Sequence, residues 1–171
     1  KDILYNPEVF YRLLEKENSA ITSLDFGYAH LSNGKDKNIS RSMDKIFVKA
    51  NAATKLKDRT VLTEIEIFHL GNKDGNNDTI QDHYGYWDLH LIVNNIFLKD
   101  YHQIDLEFKV FAGKEVFDLD QGARVFGLIY QSKSENFSPS VYLQYYSGYA
   151  ETLLGYRDRV DEVRLGLMLF I

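Results

Sequence analysis

Apolar and polar residues alternate along most of this chain, in segments of about ten residues, and that period of two limits its folds more than any other feature. Nine such segments stand out, near Tyr5–Glu15, Ala20–His30, Ser40–Ala52, Thr60–Leu70, His83–Val93, Gln103–Ala112, Gly122–Tyr130, Ser140–Tyr149 and Glu162–Ile171. Residues two apart on an extended backbone point the same way, so each segment has two unlike faces. In the second, Leu24, Phe26 and Tyr28 oppose Ser23, Asp25 and Gly27. In the third, Ile46, Val48 and Ala50 oppose Lys45, Lys49 and Asn51. In the sixth, Ile104, Leu106, Phe108 and Val110 oppose Asp105, Glu107 and Lys109. In the last, Val163, Leu165, Leu167 and Leu169 oppose Arg164 and Gly166. The expected fold is an all-β antiparallel meander with no helical segment. Alternation by itself is shared by a soluble sheet, by a barrel with an apolar interior, and by a membrane barrel with an apolar exterior.

The connections add direction. Leu31–Ile39, Gly71–Asp82 and Gly113–Gln121 are polar and rich in Gly, Asn and Asp. They fall at alternate strand ends and so gather on one side of a meander. Tyr (12) and Phe (11) are abundant and Pro (2) is scarce, a balance that suits strands. No run approaches the roughly 18 apolar residues of a membrane helix. A closed barrel crosses a bilayer by the other route, with alternating segments of about ten residues. The net charge of −5, without Lys or Arg clusters, argues against a nucleic-acid partner and a polybasic membrane patch. There is no Cys, so disulfides and thiolate metal sites are excluded. The sequence begins at Lys1-Asp2-Ile3, without Met or a signal peptide, which leads us to expect that a preceding part has been removed.

One stretch carries candidate chemistry: Gly27-Tyr28-Ala29-His30-Leu31-Ser32-Asn33-Gly34, followed by Ser40-Arg41-Ser42-Met43-Asp44. His30 and Ser32 share the face of Leu24, Phe26 and Tyr28, and Asp44 shares the face of Ile46 and Val48. If the two strands are antiparallel neighbours, three polar side chains emerge together from an apolar surface. That is a Ser–His–acid set, recognised by roles and geometry rather than by chain order. A serine hydroxyl needs a base to take its proton, and imidazole is the side chain that exchanges protons near neutrality. A carboxylate beside it accepts a hydrogen bond and stabilises its protonated form. Gly34 can bring a backbone N–H to a developing oxyanion with no side chain in the way. The Asp36–Ser40 stretch can offer oxygen ligands to Ca²⁺. An H-x-S pair at a strand end is also a common surface feature. The carboxylate on an apolar face is more informative, because it is costly without a partner.

The pattern G-Y-x-H-x-S-N-G, a short polar loop, then S-R-S-x-[N/D] resembles the signature of the outer-membrane phospholipase A family. The resemblance continues at Gly71-Asn72, at Gly85-Tyr86 and over Tyr142–Glu151, and so spans most of the chain in order. It implies a bacterial outer-membrane barrel of about twelve antiparallel strands. It also implies Ca²⁺-dependent hydrolysis of phospholipid acyl esters, of A1 or A2 type, by an enzyme active as a homodimer. On this resemblance Ser32 is the nucleophile, His30 the general base, Asp44 the orienting acid and Gly34 an oxyanion donor. The Lys35 carbonyl and the Ser40 hydroxyl match calcium ligands, and the site faces lipid on the barrel exterior.

Three departures accompany the match. The family often has Asn where this chain has Asp44, and Trp where it has Met43. Nine strands are odd in number and too few, so residues 1–171 are expected to be a single β-barrel domain lacking the family's early strands, part of the dimer contact and one calcium ligand. Two other readings remain at this stage: a barrel esterase like the lipid A deacylase, and a non-catalytic barrel acting as a pore or structural protein. Asp74 and Asp78 are weighed as ligands of a second Ca²⁺ against the more common reading, solvated loop carboxylates. Glu64, Glu66, Asp88, His90, Asp105, Glu107, Lys109 and Arg124 are expected to form a hydrogen-bonded interior, and Tyr145, Tyr146 and Tyr149 belong either to an aromatic girdle or simply to strands.

Overall fold

The computed structural model describes residues 4–16, 19–73, 77–99, 102–115, 118–132 and 138–170. They form one antiparallel sheet whose nine strands pair in chain order: β1 (Glu8–Glu15), β2 (Ile21–Ser32), β3 (Ser42–Leu56), β4 (Arg59–Gly71), β5 (Trp87–Lys99), β6 (His102–Phe111), β7 (Ala123–Ser132), β8 (Ser138–Gly148) and β9 (Val160–Phe170). Among the described residues no ladder joins β1 to β9. Connections alternate between short turns and long loops, and the three polar stretches expected to gather on one side do so. A fourth long loop, between β8 and β9, joins them.

Two expectations about the elements need correction. The β4–β5 loop contains one turn of helix, α1 (Gln81–Tyr84), which lies partly inside the segment read as the start of the fifth strand. Four residues are too few to show a helical period. In addition, β5 continues past Val93 to Lys99 through an irregularity between Val93 and Phe97. Asn95 adopts a left-handed backbone there (φ 60°), and its N–H donates to Asp105 Oδ1 at 2.7 Å. The Asn94-Asn95 pair interrupts the alternation although the strand goes on. No described helix is long and apolar enough to cross a membrane, which says nothing about crossing with strands.

Burial decides between the readings that alternation left open. The apolar faces are the exposed ones: Val163, Leu165 and Leu167 are 70, 74 and 76% exposed. Asp25, Glu66 and Asp105 on the other face are 4, 3 and 4% exposed. A soluble sheet or a barrel with an apolar interior would show the opposite. The register builds continuous apolar rows on the outside, such as Phe26–Val48–Ile67 across β2, β3 and β4. Inside, charges meet in pairs: Lys45 Nζ lies 2.6 Å from Glu66 Oε1, His90 Nε2 2.7 Å from Glu107 Oε1, and Lys109 Nζ 3.5 Å from Asp88 Oδ2. Pairing of this kind is what makes buried charge tolerable. Arg124 is not part of this interior; it shares the outward face of β7 with Phe126 and Leu128, in register with Ser147. Tyr146 is a strand residue buried on the inner face and not part of an outer girdle, while Tyr145 is exposed outside.

The main apolar cluster lies on the inner face beneath the long loops. Ala29, Leu31, Met43, Phe47, Phe68 and Leu70 from β2–β4 pack with Ile80 and with Ala150, Leu153 and Tyr156 from the β8–β9 loop. The sheet must therefore curl until the loop after β8 reaches the inner side of β2–β4. Gly27 allows the fit, because a Cβ there would overlap the ring of Phe47, its partner in the β2–β3 register. This cluster backs the outward face that carries His30, Ser32 and Asp44.

Candidate active site

The β2–β3 register sets His30 directly opposite Asp44, and Ser32 opposite Ser42. Parity then brings His30, Ser32 and Asp44 out on the same outer face, as expected from the sequence. The His30 Nδ1 lies 2.9 Å from Asp44 Oδ1. In the tautomer with its proton on Nδ1 the imidazole donates to that oxygen, which leaves Nε2 available to a hydroxyl. Ser32 Oγ accepts a hydrogen bond from the Gly34 N–H at 3.2 Å. Among the described residues no hydrogen bond joins Ser32 Oγ to the imidazole, and resting geometries in such sites often tighten only with substrate.

Two further side chains converge on the acid. The Tyr28 hydroxyl donates to Asp44 Oδ1 at 2.6 Å, and Asn72 Nδ2 donates to Asp44 Oδ2 at 2.5 Å. Three donors replace the water that a carboxylate loses on an apolar wall. Neither residue was singled out by reasoning from chemistry, yet both left a signal. Tyr28 is two residues before His30 on the same face. Asn72 follows Gly71, the β4 partner of Asp44 in the register.

The loop after β2 is organised by Asn33, which is buried. Its Nδ2 donates to the Ile39 carbonyl at 2.8 Å, and its Oδ1 accepts from the N–H groups of Lys35 (3.2 Å) and Arg41 (3.0 Å). One amide thereby gathers both ends of the loop, binding the backbones of Lys35 and Arg41 on either side of a short 3-10 turn, Lys37–Ile39. The Arg41 guanidinium covers the carbonyls of Asn38 (3.0 Å) and Ser40 (2.7 Å). Gly34 has a left-handed backbone (φ 62°), and a Cβ there would come within 2.7 Å of the Tyr5 ring. Tyr5 itself bridges to Ser32, donating to its carbonyl at 2.7 Å and accepting from its N–H at 2.9 Å. No three His, Asp or Glu side chains cluster as a metal site among the described residues. Asp74 lies outside those residues. Asp78 faces Arg157 at 3.4 Å instead of another carboxylate.

Such a set is compatible with transfer of an acyl group. The arrangement provides a hydroxyl with a backbone donor against it, an imidazole oriented by a carboxylate, and a surrounding apolar surface. A family model described as phospholipase A1 matches residues 1–169. Phospholipase A1 of Escherichia coli K12 is 27% identical over 169 residues, covering 96% of this chain and 53% of its own length. That of Proteus vulgaris is 27% identical over 146 residues, covering 85% and 45%. Among solved structures, outer membrane phospholipase A from Escherichia coli aligns with a TM-score of 0.74 at 23% identity, covering 98% of this chain and 60% of that one. The Salmonella typhi outer membrane phospholipase dimer with bound calcium aligns with a TM-score of 0.70 at 20% identity, with the same coverage. The chain spans about half the length of the curated relatives it matches.

Proposed function

We propose, from the premise that this chain belongs to the phospholipase A1 family, that it carries the catalytic wall of a Ca²⁺-dependent outer-membrane phospholipase acting on phospholipid acyl esters. The observation that carries the reading is the His30–Asp44 hydrogen bond on the same outward face as Ser32, set in an otherwise apolar wall. The family match favours this reading over the lipid A deacylase and over a non-catalytic barrel.

In this mechanism Ser32 Oγ attacks the ester carbonyl while His30 Nε2 takes its proton. Asp44 holds the imidazole in the productive tautomer and stabilises the imidazolium as it forms. The Gly34 N–H, already against Ser32 Oγ, is placed to turn to the oxyanion as the tetrahedral centre forms. His30 then returns the proton to the leaving alcohol, and the same groups activate water to release the fatty acid. The site also suits its substrate in depth. His30, Ser32 and Asp44 lie at the loop-side rim of the apolar wall, and the ester groups of a phospholipid lie at the boundary between hydrocarbon and headgroup.

The loop fits the calcium expected from the family. The Lys35 carbonyl and the Ser40 hydroxyl are hard oxygen donors of the kind Ca²⁺ takes, and Asn33 ties together the Lys35 and Arg41 backbones of the loop that carries them. Two neutral oxygens leave most of the coordination shell to water or to a second subunit, consistent with a homodimer as the active form. Ca²⁺ bound there would supply positive charge beside the oxyanion.

The test is release of fatty acid from phospholipid in mixed detergent micelles by the full-length protein, with Ca²⁺ and with a chelator. Ser32→Ala is expected to abolish activity while the barrel still folds, and chelation to suppress it in the unaltered protein. Activity that survives Ser32→Ala unchanged sinks the mechanism. Activity that survives chelation removes the metal from it.

A further inference from the structure

We propose that Asn72 is the positioning residue for Asp44, and that its amide allows position 44 to work either as a carboxylate or as an amide. This inference rests on the catalytic reading of Ser32, His30 and Asp44 given above. His30 and Tyr28 both meet the same carboxylate oxygen, Oδ1, at 2.9 and 2.6 Å. Two bonds to one oxygen leave the carboxylate plane free to swing about that oxygen. The bond from Asn72 Nδ2 to Oδ2 closes the second point and fixes the plane.

The chain builds Asn72 into this place. Gly71 ends β4 opposite Asp44, and Asn72 follows with a left-handed backbone (φ 44°) that Asn tolerates better than most residues. The position therefore needs both that backbone and a side-chain donor, and Asn supplies both. The same loop grips the acid-bearing strand from its buried side as well. Asn77 Nδ2 donates to the Ser42 carbonyl at 2.9 Å, and Gln81 Oε1 accepts from the Leu70 N–H at 3.2 Å. Asn72 holds the acid from outside, and Asn77 and Gln81 hold the backbones of β3 and β4 from inside.

An amide has a donor end and an acceptor end. Opposite a carboxylate Asn72 must donate. In Asp44→Asn, with Oδ1 still accepting from His30 and Tyr28, the amide nitrogen would stand where Oδ2 now stands. Rotation of the Asn72 amide would then present its oxygen to that nitrogen. An Asp at position 72 has no such freedom. It repels Asp44, but it accepts from the amide of Asp44→Asn.

The experiment measures kcat and KM for phospholipid hydrolysis by the full-length protein carrying Asn72→Asp, Asp44→Asn, both together, Asn72→Gly, or Ser32→Ala. Heat-dependent gel mobility checks that each barrel is folded. Asn72→Asp is expected to lower kcat about a hundredfold, and Asp44→Asn, which keeps Oδ1 as the acceptor for His30, about tenfold. The double variant should return to the level of Asp44→Asn, with KM within about twofold throughout. Asn72→Gly keeps the left-handed backbone and removes only the donor, so a fall in kcat there reports the hydrogen bond. An Asn72→Asp enzyme as active as the unaltered one overturns the proposal, as does a double variant no better than Asn72→Asp. Either result beside an inactive Ser32→Ala leaves the catalytic reading standing. An active Ser32→Ala removes both.

Discussion

Two halves of the β2–β3–β4 hairpins carry opposite chemistry on the same faces. Toward the short turns, the outward residues are Leu24, Phe26, Val48 and Ile65, and the inward ones are Ser23, Asp25, Lys49 and Glu64. Toward the long loops, the outward residues are His30, Ser32 and Asp44, while Ala29, Leu31, Met43 and Leu70 are buried inside. The pleat does not change between the halves, so side chains of the same parity point the same way in both. What changes is the surrounding medium. On the membrane reading, the lower outer wall meets hydrocarbon and its rim meets headgroups, whereas the lumen is polar below and filled by the loops above. A barrel strand thus samples four environments, and the polar rim on an apolar wall marks the exceptional one.

The comparison can be broken at its strongest point by giving the rim the chemistry of the wall below it. Asp44→Leu removes the acceptor for His30, Tyr28 and Asn72, and activity should fall about 10³- to 10⁴-fold in a barrel that still folds. Retention of activity within tenfold would mean that the rim is not the site. Next in size is the apolar backing. Phe47→Ala empties the ring space between Gly27 and the cluster and should destabilise the folded barrel by about 3–5 kcal/mol, read from denaturant unfolding in detergent. A shift below about 1 kcal/mol would show that the inner cluster does not hold these strands. The smallest effect tests the wall. Val48→Lys places a charge within the Phe26–Val48–Ile67 row and should cost about 2–4 kcal/mol in a bilayer. The same substitution should cost much less in a water-soluble state, and equal costs in both would remove lipid from the account of that face.

Parity made much of this legible in advance. Because the side-chain period is two, the sequence puts His30 and Ser32 on one face and Asp44 on the apolar face of the following strand, and the register then sets His30 opposite Asp44. It could not say which face was outside, since Leu24 and Asp25 alternate identically in either case; burial supplied that. Arg124 has the parity of Phe126 and so points outward, which its charge alone does not reveal. The helical turn Gln81–Tyr84 was too short to leave a period, and Asn95 hid the continuation of β5. Tyr28 and Asn72 were visible as members of a motif, but their common target was not. A hydrogen bond to the second oxygen of one carboxylate depends on how a loop turns after Gly71, and no spacing rule contains that.

The outward aspect of Ser32 has one more consequence. On the reading proposed here, the substrate is the solvent around the wall and arrives by sliding sideways within a sheet of its own kind. On that reading substrate reaches the site along the wall and not through a mouth. Restraint must act on whether the rim is assembled at all, through the loop from Gly34 to Arg41 and the grip on Asp44. With substrate on every side, restraint on that reading falls to whatever completes the rim: its polar contacts, the calcium and the second subunit.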